Sequence, residues 1–119
     1  MSAPDSRSIF ARIIAREIPA DVVLESDSLI AFRDIAPQAP VHLLIVPKTE
    51  KYRDVTELAA GDPALLARII AMAKELAAQH CGGSFRLVFN TGAAAGQTVF
   101  HVHAHLLGGG LSEVSLASG

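Results

Sequence analysis

Three histidines in strict alternation, His101, His103 and His105, lie in a stretch from Arg86 to Glu113 that contains no other charged residue between those ends. On a strand, residues two apart share a face and sit roughly 6.6–6.8 Å apart along the chain. All three imidazoles would then project one way while Val102, Ala104 and Leu106 point into a core. Each ring ordinarily titrates at about pH 6.5, so its neighbours can leave one neutral and another protonated near neutrality. Two chemistries suit such a row. Alternate histidines on a strand are a recognised metal-ligand arrangement, to which His42 could add a fourth nitrogen. A neutral imidazole can instead attack phosphorus and divide one difficult displacement into two easier ones.

The residues just upstream favour phosphorus. Asn90, Gly92, Gly96, Gln97 and Thr98 form a small-residue loop in which glycine lets the backbone approach a ligand closely, while amide and hydroxyl side chains add donors. Consecutive backbone N–H groups in such a loop can hold phosphate oxygens. The loop lacks the lysine and spacing of a P-loop, and taken alone it reads as an ordinary turn.

These groups need a scaffold. Ser8 is a candidate N-cap for a short amphipathic helix over 8–17 carrying Ile9, Phe10, Ile13 and Ile14, which Pro19 ends. Val22-Val23-Leu24 and Leu29-Ile30-Ala31-Phe32 read as strands flanking a turn at Glu25–Ser28. Val41–Val46 reads as a third strand, entered from a proline-bounded loop and closed by Pro47. Asp62-Pro63 starts and Gly82-Gly83 stops a long helix with Leu65, Leu66, Ile69, Met72, Ala73 and Leu76 on one face. Phe85–Asn90 and Val99–Leu107 read as two last strands around the loop Thr91–Gln97. The pattern is that of an α+β domain: a five-stranded, mostly antiparallel sheet with two main helices, carried on one side of it. Exposed sheet edges make pairing with a second copy a natural expectation.

The chain has 119 residues, enough for one domain but not two, so a single domain is expected over 1–119. Half the residues are apolar and 18% charged, a globular composition. A net charge of -2 gives no basic footprint, which argues against extended nucleic-acid binding. Cys81 is the only cysteine, so an intrachain disulfide and a cysteine-rich zinc site are excluded. Asp5, Arg7 and Arg12 interrupt the place where a secretory signal would need an apolar core, and no apolar run suggests a membrane span. A cytoplasmic protein is expected.

The run Gly96-Gln97-Thr98-Val99-Phe100-His101-Val102-His103-Ala104-His105-Leu106-Leu107-Gly108-Gly109 closely resembles the signature of the histidine triad (HIT) nucleotide-binding proteins. The resemblance extends through Ile9–Ile14, Glu17-Ile18-Pro19-Ala20, Phe32–His42 and Ile45-Val46-Pro47-Lys48, covering about residues 8–109, and is strongest to the Hint branch. It implies a homodimer with a shared ten-stranded sheet, and hydrolysis of purine nucleoside phosphoramidates or related nucleotidyl conjugates at the α-phosphate. By that resemblance His103 is the nucleophile, forming a covalent nucleotidyl-histidine. His42 and His101 are supporting histidines, and His105 holds an α-phosphate oxygen. Asn90 and Thr98 match polar positions beside the phosphate and leaving group, and the backbone around Gly96, Gln97 and Val99 matches the phosphate pocket. Asp34 matches the acceptor of the ribose hydroxyls, and Ile9, Phe10, Ile13, Phe32, Ile35 and Leu44 match the base cleft.

No metal and no cofactor is required on this reading. A dinucleoside polyphosphate is the alternative substrate, and a nucleotide-binding interaction protein with little turnover the alternative role. The chain departs from the family pattern twice. Thr49-Glu50-Lys51-Tyr52 stands where relatives often carry a histidine, associated in some of them with zinc. The tail 110–119 lacks the Trp-Pro-Pro-Gly ending that shapes a partner's pocket in well-known Hint proteins, and its last residues are expected to be disordered.

Overall fold

Alternating side chains place two different surfaces on one sheet. In a computed structural model, which describes residues 7–111, the strands β1 (Val22–Glu25), β2 (Leu29–Arg33), β3 (Val41–Pro47), β4 (Arg86–Val88) and β5 (Ala104–Gly108) form one sheet. Their order is β1-β2-β3-β5-β4, and every neighbouring pair is antiparallel. Residues directly opposite share a face. Thus Phe32 faces with Leu44 and His105, whereas Ala31 faces with Ile45 and Ala104.

The helices α2 (Val55–Gly61) and α3 (Pro63–His80) cover the Ala31 face, where Leu43, Ile45, Leu58, Ile69, Leu76 and Leu106 are fully buried. Asp62 caps α3 by accepting the Leu65 N–H, with Pro63 in its first turn. The opposite face receives only α1 (Ile9–Ile14), whose Phe10 and Ile13 pack on Ile30, Phe32, Leu44 and Val46. The helices are therefore not confined to one side. Alternation in β2 and β3 makes both faces apolar, and each needs a cover.

Other expectations shift in detail. The helix over 8–17 stops at Ile14, because Arg16 adopts a left-handed φ of 64° and the Glu17 N–H turns back to the Arg12 carbonyl. The helix α2 was not anticipated, although Asp54 caps it by accepting the Glu57 N–H, and the pair Asp54 and Glu57 is a legible start signal. The strand expected over Val99–Leu107 begins only at Ala104. Before that point the chain leaves the ladder: the Val102 N–H bonds to the Tyr52 carbonyl, and the His101 carbonyl to the ring of His103. The strand β4 is likewise shorter than expected, and a 3-10 turn at Ala93–Ala95 occupies the loop before Gln97. The tail residues 112–119, including the expected disorder, lie outside the described residues. Among the described residues, no helix is long and apolar enough to cross a membrane.

Candidate active site

A cavity of about 400 Å³ opens on the face that α1 covers incompletely. Its apolar lining comes from Ile9, Phe10 and Ile13 of α1, Phe32 of β2, Leu44 of β3 and Val99, with Ile35 99% exposed. Its polar lining comes from Asp34, Asn90, Thr98, His103 and His105, with the backbone of Gly96 beside them. Residues separated by up to 96 positions in the chain thus border one space.

Three proposed site residues do not line it. His42 and His101 are buried behind it, at 6% and 2% exposure. Gln97 is also buried, and its side chain is spent on the loop itself: Oε1 accepts the Gly92 N–H, and Nε2 donates to the carbonyls of Arg53 and Val99. It ties this loop to the Arg53 and Val99 carbonyls rather than offering its amide to a ligand. Gly92 and Gly96 let that loop turn, with φ of 91° and 97° that a side chain would disfavour. Arg33, Ile18, Pro19 and Ala20 also line the cavity, beyond the residues expected from the sequence. Arg33 is held at the rim by Asp21, Nε to Oδ2 3.1 Å.

Hydrogen bonding fixes the proton of each ring. A carbonyl only accepts, so His103 Nδ1, 2.8 Å from the His101 carbonyl, carries the hydrogen. The Nε2 of a neutral His103 is therefore a bare lone pair. A backbone N–H only donates, so His42 Nδ1, 3.0 Å from the Gln38 nitrogen, is an acceptor and His42 Nε2 carries the hydrogen. That hydrogen is given to His105 Nδ1 at 2.9 Å, with Asp34 Oδ2 at 3.4 Å from the same nitrogen. His105 must then hold its own proton on Nε2, as a donor. In His101, Nε2 donates to the Pro47 carbonyl at 2.7 Å, which leaves Nδ1 to accept from the Ser8 hydroxyl at 2.7 Å.

Burial reinforces neutrality. It pushes the pKa of His42, His101 and His103 below the ordinary 6.5, against weaker opposing pulls from Asp34, Glu50 or backbone carbonyls. His105 falls furthest, to about 4, because His103 and His42 add repulsion to desolvation. At neutral pH the cluster is one uncharged network with a single unused lone pair, that of His103.

Asp34, His42 and His105 bring three potential ligand atoms within 4.8 Å of one another, the one such group among the described residues. The tautomers do not suit a metal there. With Gln38 donating to Nδ1, His42 presents a proton at Nε2 and not a lone pair. The alternating His101, His103 and His105 do not converge on one point either, since His101 turns inward to Ser8 and Pro47.

The chain matches the model of the HIT domain over residues 15–110, most of its length. It belongs to the HIT family. A HIT relative named purine nucleoside phosphoramidase, from Escherichia coli K12, is 44% identical over 104 residues, which are 86% of this chain and 87% of that one. Adenylylsulfatase HINT1 of Arabidopsis thaliana is 44% identical over 110 residues, 88% of this chain and 73% of that one. The solved structure of a HIT family hydrolase from Clostridium thermocellum superposes with a TM-score of 0.83 at 40% identity, covering 91% of this chain and 97% of that one. The five-stranded antiparallel sheet is therefore the HIT fold. The whole of α1 and its cap Ser8 fall before the matched HIT segment, although Ile9, Phe10 and Ile13 of α1 form one wall of the cavity.

Proposed function

We propose that this HIT protein is a hydrolase of purine nucleoside phosphoramidates or related nucleotidyl conjugates, cleaving at the α-phosphate through a nucleotidyl-His103 intermediate. The observation that carries the reading is His103, hydrogen-bonded at Nδ1 and kept neutral by burial, on the wall of a cavity lined by both apolar side chains and hydrogen-bond donors. One relative is named for a phosphoramidate and another for an adenylyl sulfate, and in both compounds the leaving group hangs on a nucleoside phosphate.

In this mechanism the base enters between Phe10, Ile13, Phe32 and Leu44, and Asp34 accepts from the ribose hydroxyls. The Nε2 lone pair of His103 forms a bond to the α-phosphorus as the bond to the leaving amine breaks, and the amine departs with a proton taken from the solvent. Charge on the phosphoryl oxygens is met by His105 Nε2–H, Thr98, Asn90 and loop amides, donors that need no reorganisation. Water then attacks phosphorus, breaks the P–N bond to His103, and releases nucleoside monophosphate. No metal or cofactor enters either step. The protein acts as a cytoplasmic homodimer that pairs an exposed sheet edge with a second copy.

Side-by-side turnover of an adenosine phosphoramidate and a dinucleoside polyphosphate tests the assignment. The phosphoramidate is expected to have the higher kcat/KM, and the reverse ranking would reassign the substrate class. Sedimentation at micromolar concentration should give twice the chain mass.

A further inference from the structure

The nucleophile row is tied to the first helix by a side-chain contact that spans 93 positions of sequence. Ser8 Oγ accepts the Ala11 N–H at 3.0 Å, as an N-cap does, and lies 2.7 Å from His101 Nδ1. Because His101 Nε2 is committed as donor to the Pro47 carbonyl, its Nδ1 is a bare acceptor and the Ser8 hydroxyl is the donor. The ring of His101 is thus held at both nitrogens. Its carbonyl in turn accepts Nδ1–H of His103 and so aims the His103 lone pair. Two residues further along, Phe10 stands edge-on to His103, with ring centroids 4.8 Å apart and an interplanar angle of 69°. The start of α1 therefore grips the histidine row from two sides.

We infer that Ser8 is a positioning residue for the reaction: its hydroxyl holds His101 in the neutral, Nε2-protonated form and, through the His101 carbonyl, keeps Nε2 of His103 aimed at the α-phosphate. This rests on His103 being the nucleophile. Removing the hydroxyl leaves the buried His101 ring held by its Pro47 bond alone, with Nδ1 unpartnered, and loosens the peptide that orients His103. The loss falls on the chemical step, whereas the base cleft keeps its apolar walls.

Three substitutions separate this role from helix capping. Ser8→Thr keeps both the cap and the donor. Ser8→Asp keeps the cap, since a carboxylate accepts the Ala11 N–H well, but it cannot donate to His101 Nδ1 and favours a proton there instead. Ser8→Ala loses both. Single-turnover nucleotidylation is expected to be near wild type in Ser8→Thr and to fall about ten-fold in Ser8→Asp and Ser8→Ala, with KM changed far less, as suits the loss of one oriented hydrogen bond. The acid limb of kcat/KM should move to higher pH in Ser8→Asp alone, because a protonated His101 next to His103 appears earlier. Nitrogen chemical shifts should report His101 as Nε2–H in wild type and Ser8→Thr, independently of any activity. If Ser8→Asp matches wild type in rate, pH profile and ring shifts while only Ser8→Ala is impaired, Ser8 is merely a cap and the inference is wrong. If wild-type protein itself forms no adduct at His103, the underlying mechanism fails instead, and the nitrogen shifts still decide whether Ser8 sets the His101 tautomer.

Discussion

The two faces of the sheet are built from the same five strands and have opposite fates. One is sealed by α2 and α3 over a continuous core in which Leu43, Ile45, Ile69, Leu76 and Leu106 have no solvent exposure. The other is covered only by the six-residue α1, so its apolar surface ends in a cavity that His103 and His105 line, with His42 buried behind them against His105. The larger buried core lies where the cover is complete, and the proposed chemistry lies where it is not. Side chains on the open face are fixed by hydrogen bonds to backbone groups of Gln38, Pro47 and His101 rather than by dense packing.

Substitutions should therefore divide cleanly by face. The largest effect is expected from His103→Ala, which lowers kcat on the order of 10³-fold or more while leaving the thermal midpoint close to wild type. Steady-state kinetics beside calorimetry checks this, and retention of most of the activity would remove His103 as nucleophile. On the sealed face, Leu76→Ala should cost about 2–5 kcal/mol of stability by opening a cavity. Denaturant titration measures that loss, and the folded fraction should keep its kcat. A large kcat loss without unfolding would erase the distinction between the faces.

Smaller effects sharpen the open face. Asp34→Asn should weaken nucleoside monophosphate binding by roughly 1–3 kcal/mol, measured calorimetrically, with kcat at saturation largely kept. An unchanged dissociation constant would take Asp34 out of the ribose contact. The smallest effect concerns pH. In the proposed mechanism His103 attacks as the neutral ring, and burial lowers its folded pKa below 6.5, so kcat/KM should stay level through neutrality and fall only on the acid side of 6.5. Stability should follow the same sign. The unfolded chain binds protons at these histidines below about 6.5, whereas folded His105 resists until about 4, so the protein loses stability progressively as pH drops between those values. A stability curve that rises on acidification through this window would contradict the buried neutral network.

Much of the open face was legible because its residue types are unusual there. Alternate histidines left a metal site open and the glycine-rich loop alone read as a turn, but together with the family resemblance they marked one region, and Asp34, Asn90 and Thr98 do border the cavity with His103 and His105. What the sequence hid was partnership. Nothing local distinguishes Gln97 as a brace from Gln97 as a ligand donor, since its partners at Arg53 and Gly92 are chosen by the fold. Ser8 read as an N-cap, which it is, but its second bond to His101 crosses most of the chain. The overlong final strand has the same origin: apolar alternation continues through Val102, yet the backbone there bonds to Tyr52 instead of a neighbouring strand. Alternation reports which way side chains face, and it cannot report which backbone groups they meet.

The central claim is that an uncharged imidazole, unaided by metal, takes the nucleotidyl group. Metal-free protein, held in excess chelator, should be mixed with a limiting adenosine phosphoramidate and quenched on the millisecond scale, with the adduct mass measured and mapped by peptide. One nucleotidyl group per chain is expected on His103, formed at the same rate with or without chelator, and absent from His103→Ala. An inert metal-free protein whose turnover is restored by one zinc per chain, or an adduct mapped to any other residue, would contradict it.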